Sequence, residues 1–302
     1  MQTQLLLSIK FHSVPGGIMG YILRDNLKRK TIEAFDQDHN IVGEAVFSPF
    51  IPSDLYDNPR LNIYFDIKVL VQSDKENIRN QLFDEIIHRA RELKLNYLDF
   101  DVKVYHCCFS DDIENIEYYS SKPGFSHDEG MYIIKKDITE QEFTNQGLVE
   151  DDKLIKNDQN ITYVKLTFQT KDEMLQLILE QHKVFKNGYS IDDLIAIKSA
   201  EQWLSLAAIQ NGIIIGNIIM IVKEDENNNK YGWVDDFFVS KEWRREGIGK
   251  NLLEIALYEL KLMGINESRL EVWSSNVRAM SLYKNFGFHF YKETECAIGM
   301  FL

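Results

Sequence analysis

Arg244-Arg245-Glu246-Gly247-Ile248-Gly249-Lys250 stands between a strand-like run, Trp233 to Val239, and a run in which Leu252, Leu253, Ala256, Leu257 and Leu260 follow Ile248 at helical spacing. Glycines at such a junction let the backbone turn sharply, so that successive N–H groups approach a bound anion while the helix start adds partial positive charge. A pyrophosphate suits this loop. It is not the triphosphate loop GxxxxGK[ST], because Arg244 holds the first glycine position and Asn251 follows the lysine. Nor is it a dinucleotide fingerprint, since Leu252 holds the third glycine position. Strand, glycine loop and amphipathic helix in that order predict an α/β fold (mixed α+β).

The pattern recurs 170 residues earlier. Ile78, Leu82, Phe83, Ile86, Ile87 and Ala90 repeat the helical spacing after a strand-like run, Tyr64 to Val69. Asp66 aligns with Asp236 and Val69 with Val239. Each helix leads to a second apolar run, Tyr97 to Val104 and Arg269 to Trp273, then to a Gly-Phe pair, Gly124-Phe125 and Gly287-Phe288, followed by expected strands. Ahead of the loop, helices are expected over Asp172 to Phe185 and Ser190 to Trp203. A hairpin follows, Leu204 to Gln210 and Ile213 to Val222, around Asn211-Gly212, a pair that tolerates positive φ. Thr31 to Phe35 and Ile41 to Phe47 read as a similar strand pair. The acidic, weakly apolar stretch 141–160 reads as a linker, giving domains at 1–140 and 161–302.

The chain has 302 residues, enough for two cores, and its 34 Lys plus Arg against 47 Asp plus Glu give a net charge of -13. That balance disfavours nucleic acid and anionic membranes as partners. Cys107, Cys108 and Cys296 are the three cysteines; they supply no disulfide framework and no CxxC metal pair, which fits a reducing cytoplasm. The seven histidines form no HxxxH or HxxE pattern, so no metal is expected. The start, Met1-Gln2-Thr3-Gln4, has no basic-then-apolar leader, and no apolar run is long enough to span a bilayer.

With Asp235-Asp236-Phe237-Phe238-Val239 before the loop and Asn276-Val277-Arg278-Ala279-Met280-Ser281-Leu282-Tyr283-Lys284-Asn285-Phe286-Gly287-Phe288 after it, the chain resembles the GNAT family of acetyl-CoA-dependent N-acyltransferases. The resemblance covers about 161–302. The N-terminal half looks like a diverged second copy, as in tandem GNAT proteins of the mycothiol-synthase kind. The resemblance implies two tandem domains, each a twisted mixed sheet flanked by helices, with the fourth and fifth strands splayed to admit pantetheine. It implies acetyl-CoA or a related acyl-CoA held by Phe237, Phe238 and Val239, by Arg244, Arg245, Glu246, Gly247, Ile248, Gly249 and Lys250, and by Asn276, Ala279 and Tyr283. A primary amine, on a small molecule or a peptide, is the implied acceptor.

Acetyl transfer to an amine needs a base for the amine and an acid for the departing thiolate. Strand alternation puts Trp233, Asp235, Phe237 and Val239 on one face and turns Asp236 away; the resemblance implies a base on that face, so Asp235 is the candidate and Glu271 on the next strand a backup. Tyr283, two helical turns after Asn276, is the candidate acid that the resemblance implies. The resemblance also implies that N–H groups near Phe237 and Val239 polarise the thioester carbonyl. In the N-terminal half Asp74 replaces Arg244, Asn77 and Arg79 replace the two glycines, Phe65 replaces Asp235 and Ser120 replaces Tyr283, so that half is expected to be catalytically silent. A non-catalytic acyl-CoA sensor or scaffold is the competing reading.

Overall fold

A computed structural model describes residues 20–52, 58–139, 160–185 and 188–302. The expected linker, 141–160, lies outside the described residues except for Asn160. Twelve strands and six α-helices alternate along the described chain, a mixed α/β architecture. The chain divides into two compact units, and neither follows the expected boundaries. One takes the described residues up to Met131 together with Trp273–Asn276 and Glu293–Leu302; the other takes Tyr132–Val272 and Val277–Lys292.

In the first unit the strand order is β1 (Ile22–Asn26), β2 (Thr31–Phe35), β3 (Ile41–Phe50), β4 (Arg60–Val69), β5 (Asp101–Phe109) and β12 (His289–Phe301). All neighbours are antiparallel except β4 and β5, which run parallel. Helix α1 (Lys75–Lys94) buries the expected stripe, with Ile78, Leu82, Ile86 and Ala90 fully enclosed. Strand β5 starts later than the apolar run predicts. Tyr97 and Phe100 instead stack edge to face in the turn that ends α1, because Leu95, Asn96 and Tyr97 close its last turn onto helix carbonyls. Helix α2 (Ile113–Ser120) and β6 (Ser126–Asp137) follow.

In the second unit the order is β7 (Thr162–Lys165), β8 (Trp203–Gln210), β9 (Ile213–Glu224), β10 (Lys230–Val239), β11 (Glu267–Trp273) and β6. The β8–β9 hairpin turns as its sequence demands, with Asn211 and Gly212 both at positive φ (50° and 78°). Helices α3 (Lys171–Val184) and α4 (Ile191–Lys198) start at Thr170 and Ser190, whose side chains accept from the N–H groups of Glu173 and Asp193. Helix α4 stops five residues short of Trp203, which opens β8 and stacks flat on Phe168. Helices α5 (Ile248–Leu262) and α6 (Val277–Asn285) complete the unit.

The 170-residue offset survives folding. Strand β4 spans Arg60–Val69 and β10 spans Lys230–Val239, ten residues each in the same register. The parallel pairing with the next strand ends at Tyr64 in one unit and at Val234 in the other, again 170 apart.

Candidate functional site

Strands β10 and β11 pair only from Gly232↔Ser268 to Val234↔Leu270, although β10 runs on to Val239 and β11 to Trp273. Beyond Val234 the two strands therefore part, which opens the expected gap at the end of β10. The pairing of β10 with β9 slips at the same place. Val234 opposes Met220, Asp236 opposes Ile219, and Asp235 is the extra residue of a β-bulge.

That bulge corrects the expected face assignment. Val234 packs in the core under α5, but after the extra residue it is Phe237 and Val239 that lie against this core, while Phe238 joins the core formed with α3 and α4. Simple alternation fails across a bulge because two residues occupy one rung. Asp236 is therefore not turned away from the site. Both aspartates line one cleft of about 490 Å³, with Gln181, Phe185, Gly188, Tyr189 and Asp193.

The two carboxylates differ in surroundings. Asp235 is exposed and accepts from the Tyr189 hydroxyl at 2.5 Å. Asp236 accepts from Gln181 Nε2 at 2.9 Å, and the same Gln181 takes the Tyr189 N–H on its Oε1 at 2.6 Å. Burial pushes the Asp236 carboxyl up to about 6, against stabilisation of its ionised form by Gln181 and the Phe237 N–H, with the neighbouring charge of Asp235 adding to the rise. Asp193 is held well below the ordinary carboxylate range by the Ser190 hydroxyl and N–H, its partners in the capping box that starts α4. Glu271, the backup base, is an exposed residue of β11 and is not among the residues lining the cleft. Gln181, Tyr189, Asp193 and Asp236 are the members the sequence reading missed. A helix from Ser190 was expected, but its approach to β10 was not legible.

Tyr283, on α6, is 7% exposed and packs its ring toward Phe237 and Phe288, at 6.4 and 5.6 Å between centroids. Burial, with the charge of Asp236 as a smaller cause, pushes its phenol above the ordinary range, so the hydroxyl keeps its proton at neutral pH. The backbone of β10 offers donors here. Ser240 donates its N–H to Ile215, and stepping back along that ladder the N–H groups of Phe237 and Val239 point away from β9, toward the side β11 has left.

The glycine loop lies directly beyond. A 3₁₀ turn, Lys241–Trp243, leads into Arg244, whose Nε donates to the Val239 carbonyl at 3.2 Å. Arg245 and Gly247 both take positive φ, 72° and 76°, a conformation disfavoured for the first and free for the second. Helix α5 then begins at Ile248, whose side chain is buried so that only its backbone faces the loop. Its first turn carries no acid, whereas α1, α2, α3 and α4 each place at least one acid there. A Cβ on Gly249 would sit 3.5 Å from Val239 and 3.6 Å from Phe237, so a side chain there would fill the corner between β10 and α5. A helix N-terminus with no acid in its first turn, and with glycine at 247 and 249, fits a pyrophosphate. Phe238 and Ile248 can serve such a ligand only through the backbone. Ala279 lies on α6, where it packs against the core of this unit. Asn276 precedes α6 but falls in the other compact unit, donating its N–H to the Trp273 carbonyl at 2.9 Å.

Residues 171–288 match the acetyltransferase (GNAT) family model. The match takes in β10, the loop, α5, β11 and α6. A probable spermine N(1)-acetyltransferase of Bacillus subtilis subsp. natto is 32% identical over 73 residues, 24% of this chain and 48% of that protein. The [ribosomal protein bS18]-alanine N-acetyltransferase of Escherichia coli K12 is 32% identical over 94 residues, 31% of this chain and 60% of the relative. The chain thus spans about half to three-fifths of the length of these two curated relatives. Among solved structures, a GCN5-related N-acetyltransferase from Sphaerobacter thermophilus aligns over 91% of this chain and 82% of its own, with 15% identity and a TM-score of 0.44. No described helix is long and apolar enough to cross a membrane, and no group of three or more metal-binding side chains occurs among the described residues.

The corresponding place in the N-terminal half is built differently. Residues 75–77 are already helical in α1, where 245–247 form the loop. Asp74 takes the left-handed conformation at the helix start and accepts from the Tyr21 hydroxyl at 2.8 Å and from Asn77 Nδ2 at 2.9 Å. Arg79, in place of Gly249, is buried, with its guanidinium 3.5 Å from the Tyr118 ring centroid and 4.9 Å from that of Tyr119. Ser120 is exposed at the end of α2; the buried phenol is Tyr119, one residue earlier, 4.4 Å from the His106 ring. Matching the Gly-Phe pairs misplaces it because α2 and α6 meet those pairs through turns of different length.

Proposed function

We propose that the chain is an N-acetyltransferase that moves an acetyl or short acyl group from acyl-CoA to a primary amine, with its chemistry at the parted end of β10. The observation that carries this reading is the convergence on one strand end of an anion-ready loop, a proton-holding phenol and a carboxylate raised to about 6. Arg244, Arg245, Glu246, Gly247, Gly249 and Lys250 would hold the pyrophosphate, chiefly through backbone N–H groups. Acyl-CoA supplies the activated thioester. Asp236, rather than Asp235, takes the proton from the acceptor nitrogen, since its raised pKa brings it nearer to working pH than an ordinary carboxylate of about 3.9. The Val239 N–H, directed toward the gap, polarises the thioester carbonyl. Tyr283 gives its proton to the departing sulfur.

Asp193 and Asp235 add two further carboxylates to the same cleft, and among the described residues no basic side chain lines it. Two fixed negative charges beyond the base support an acceptor with a second positive charge, a diamine or polyamine, in keeping with the similarity to a probable spermine N(1)-acetyltransferase. We further propose that the N-terminal half is a degenerate copy without its own CoA site, Asp74 and Arg79 having closed the corresponding corner. An assay of free thiol release with acetyl-CoA and pooled amines tests the reading. Stoichiometric CoA binding without turnover on any amine would favour the sensor alternative.

A further inference from the structure

Among the described residues one pair of thiols is brought together by the fold. Cys108 lies on β5 and Cys296 on β12, 188 residues apart in sequence, yet they are direct partners in the antiparallel register with their Sγ atoms 3.4 Å apart. Both belong to one compact unit, and both are buried, at 7% and 2% exposure. The ladder fixes the kind of pair they form. Leu302 donates to the Val102 carbonyl and Ser110 to the Thr294 carbonyl, and stepping in twos from either one makes Cys108–Cys296 a hydrogen-bonded pair. Such pairs hold their Cα atoms about 5.5 Å apart with side chains on the same face. Disulfides bridge Cα separations of roughly 4.4–6.8 Å. Joining these two sulfurs therefore requires side-chain rotation and no movement of either strand. Cys107, one residue earlier, opposes Ala297 and points to the other face of the sheet.

We propose that Cys108 and Cys296 form a reversible redox site, closing to a disulfide that fastens the last strand of the chain to β5 when a hydroperoxide reaches them. One thiol loses its proton and attacks the O–O bond, giving a sulfenic acid and, from hydrogen peroxide, one water. The second thiol displaces the sulfenic hydroxyl as a second water and forms the S–S bond. The two thiols lose two electrons and two protons, and the peroxide is reduced to two waters. Burial raises both thiols above the ordinary range, which keeps them protonated and slows the first step, so the site answers to high oxidant rather than to traces. A small uncharged peroxide suits a pair enclosed in an apolar core better than a charged disulfide does. The inference does not depend on the acyl-transfer reading.

The test uses the full chain, reduced, desalted, exposed to hydrogen peroxide, alkylated and digested without reductant. The expected product is lighter by about 2 Da, the two hydrogens lost on bridging, and yields one linked peptide pair containing Cys108 and Cys296, with Cys107 alkylated. Dithiothreitol reverses it. The oxidised chain should unfold several degrees higher than the reduced one, because the cross-link restricts the unfolded ensemble; Cys107→Ser should keep that rise and Cys296→Ser should lose it. Stable sulfinic or sulfonic acids at these positions, a link through Cys107, or unchanged Cys108 and Cys296 under peroxide that oxidises Cys107 would each overturn the proposal. The mapping is made on the wild-type chain, so a variant that fails to fold does not leave the question open.

Discussion

Two adjacent carboxylates in one cleft invite confusion about which does the chemistry, and their environments separate them. Asp236 carries the raised pKa, so activity should fall as pH drops through about 6, where the base takes up a proton. Asp236→Asn should lower turnover by roughly 10²–10⁴ and abolish that acidic limb, read from the pH profile of kcat/KM; an unchanged limb would move the role elsewhere. The same raised pKa has a stability cost. Between the ordinary carboxylate value and about 6 the folded state binds more protons than the unfolded state, so stability declines as pH rises through that window. Asp236→Asn should therefore unfold at higher temperature than wild type at pH 7, by about 1–3 kcal/mol in stability, while losing activity. Tyr283→Phe should likewise cost roughly 10²–10⁴ in turnover while leaving CoA affinity nearly intact in calorimetry, since the ring packing on Phe237 and Phe288 is retained.

At the scale of elements, the difference between the two halves lies in where a helix begins. Helix α5 starts at Ile248 after a glycine in the left-handed conformation, and α1 starts a full turn earlier in the aligned frame, at Lys75. Residues 75–77 are already inside α1, whereas 245–247 stand ahead of α5, whose start carries no side-chain cap. Gly247→Val should cost about 1–2 kcal/mol of strain at φ 76° and weaken CoA binding, with thermal unfolding and calorimetry as the two readouts. Retained affinity would show that the loop is not the pyrophosphate site. One CoA per chain is the expected stoichiometry; two would contradict the closed corner around Asp74 and Arg79.

For the whole molecule, the compact units cut across the sequence halves. The second unit takes Tyr132–Asp137 of β6, with Ile134 and Ile138 buried at 3% each, and the first takes Glu293–Leu302, with Cys296, Ala297 and Ile298 enclosed. Burying an isoleucine is worth about 1.5–3 kcal/mol, so losing two approaches the few kcal/mol by which domains are stable. A fragment of residues 161–302 lacks β6 and should be markedly less stable than the full chain. Expression and thermal unfolding of that fragment check this, and a soluble fragment with unchanged midpoint would refute it.

The Arg244–Lys250 loop, the stripes of α1 and α5 and the Asn211-Gly212 turn were all legible from residues alone. Each depends on contacts within a few positions, where spacing and backbone preference decide. The 170-residue offset was legible for the same reason, as a repeated local pattern. Tertiary structure decided the rest. The bulge at Asp235 depends on the register of β10 against β9, and it alone brings Asp236 beside Gln181 and Tyr189. The meeting of Cys108 with Cys296, and the membership of β6 and β12, depend on which strands pair across long stretches of chain. A one-residue slip in such pairing reverses every face, and local sequence carries no record of it.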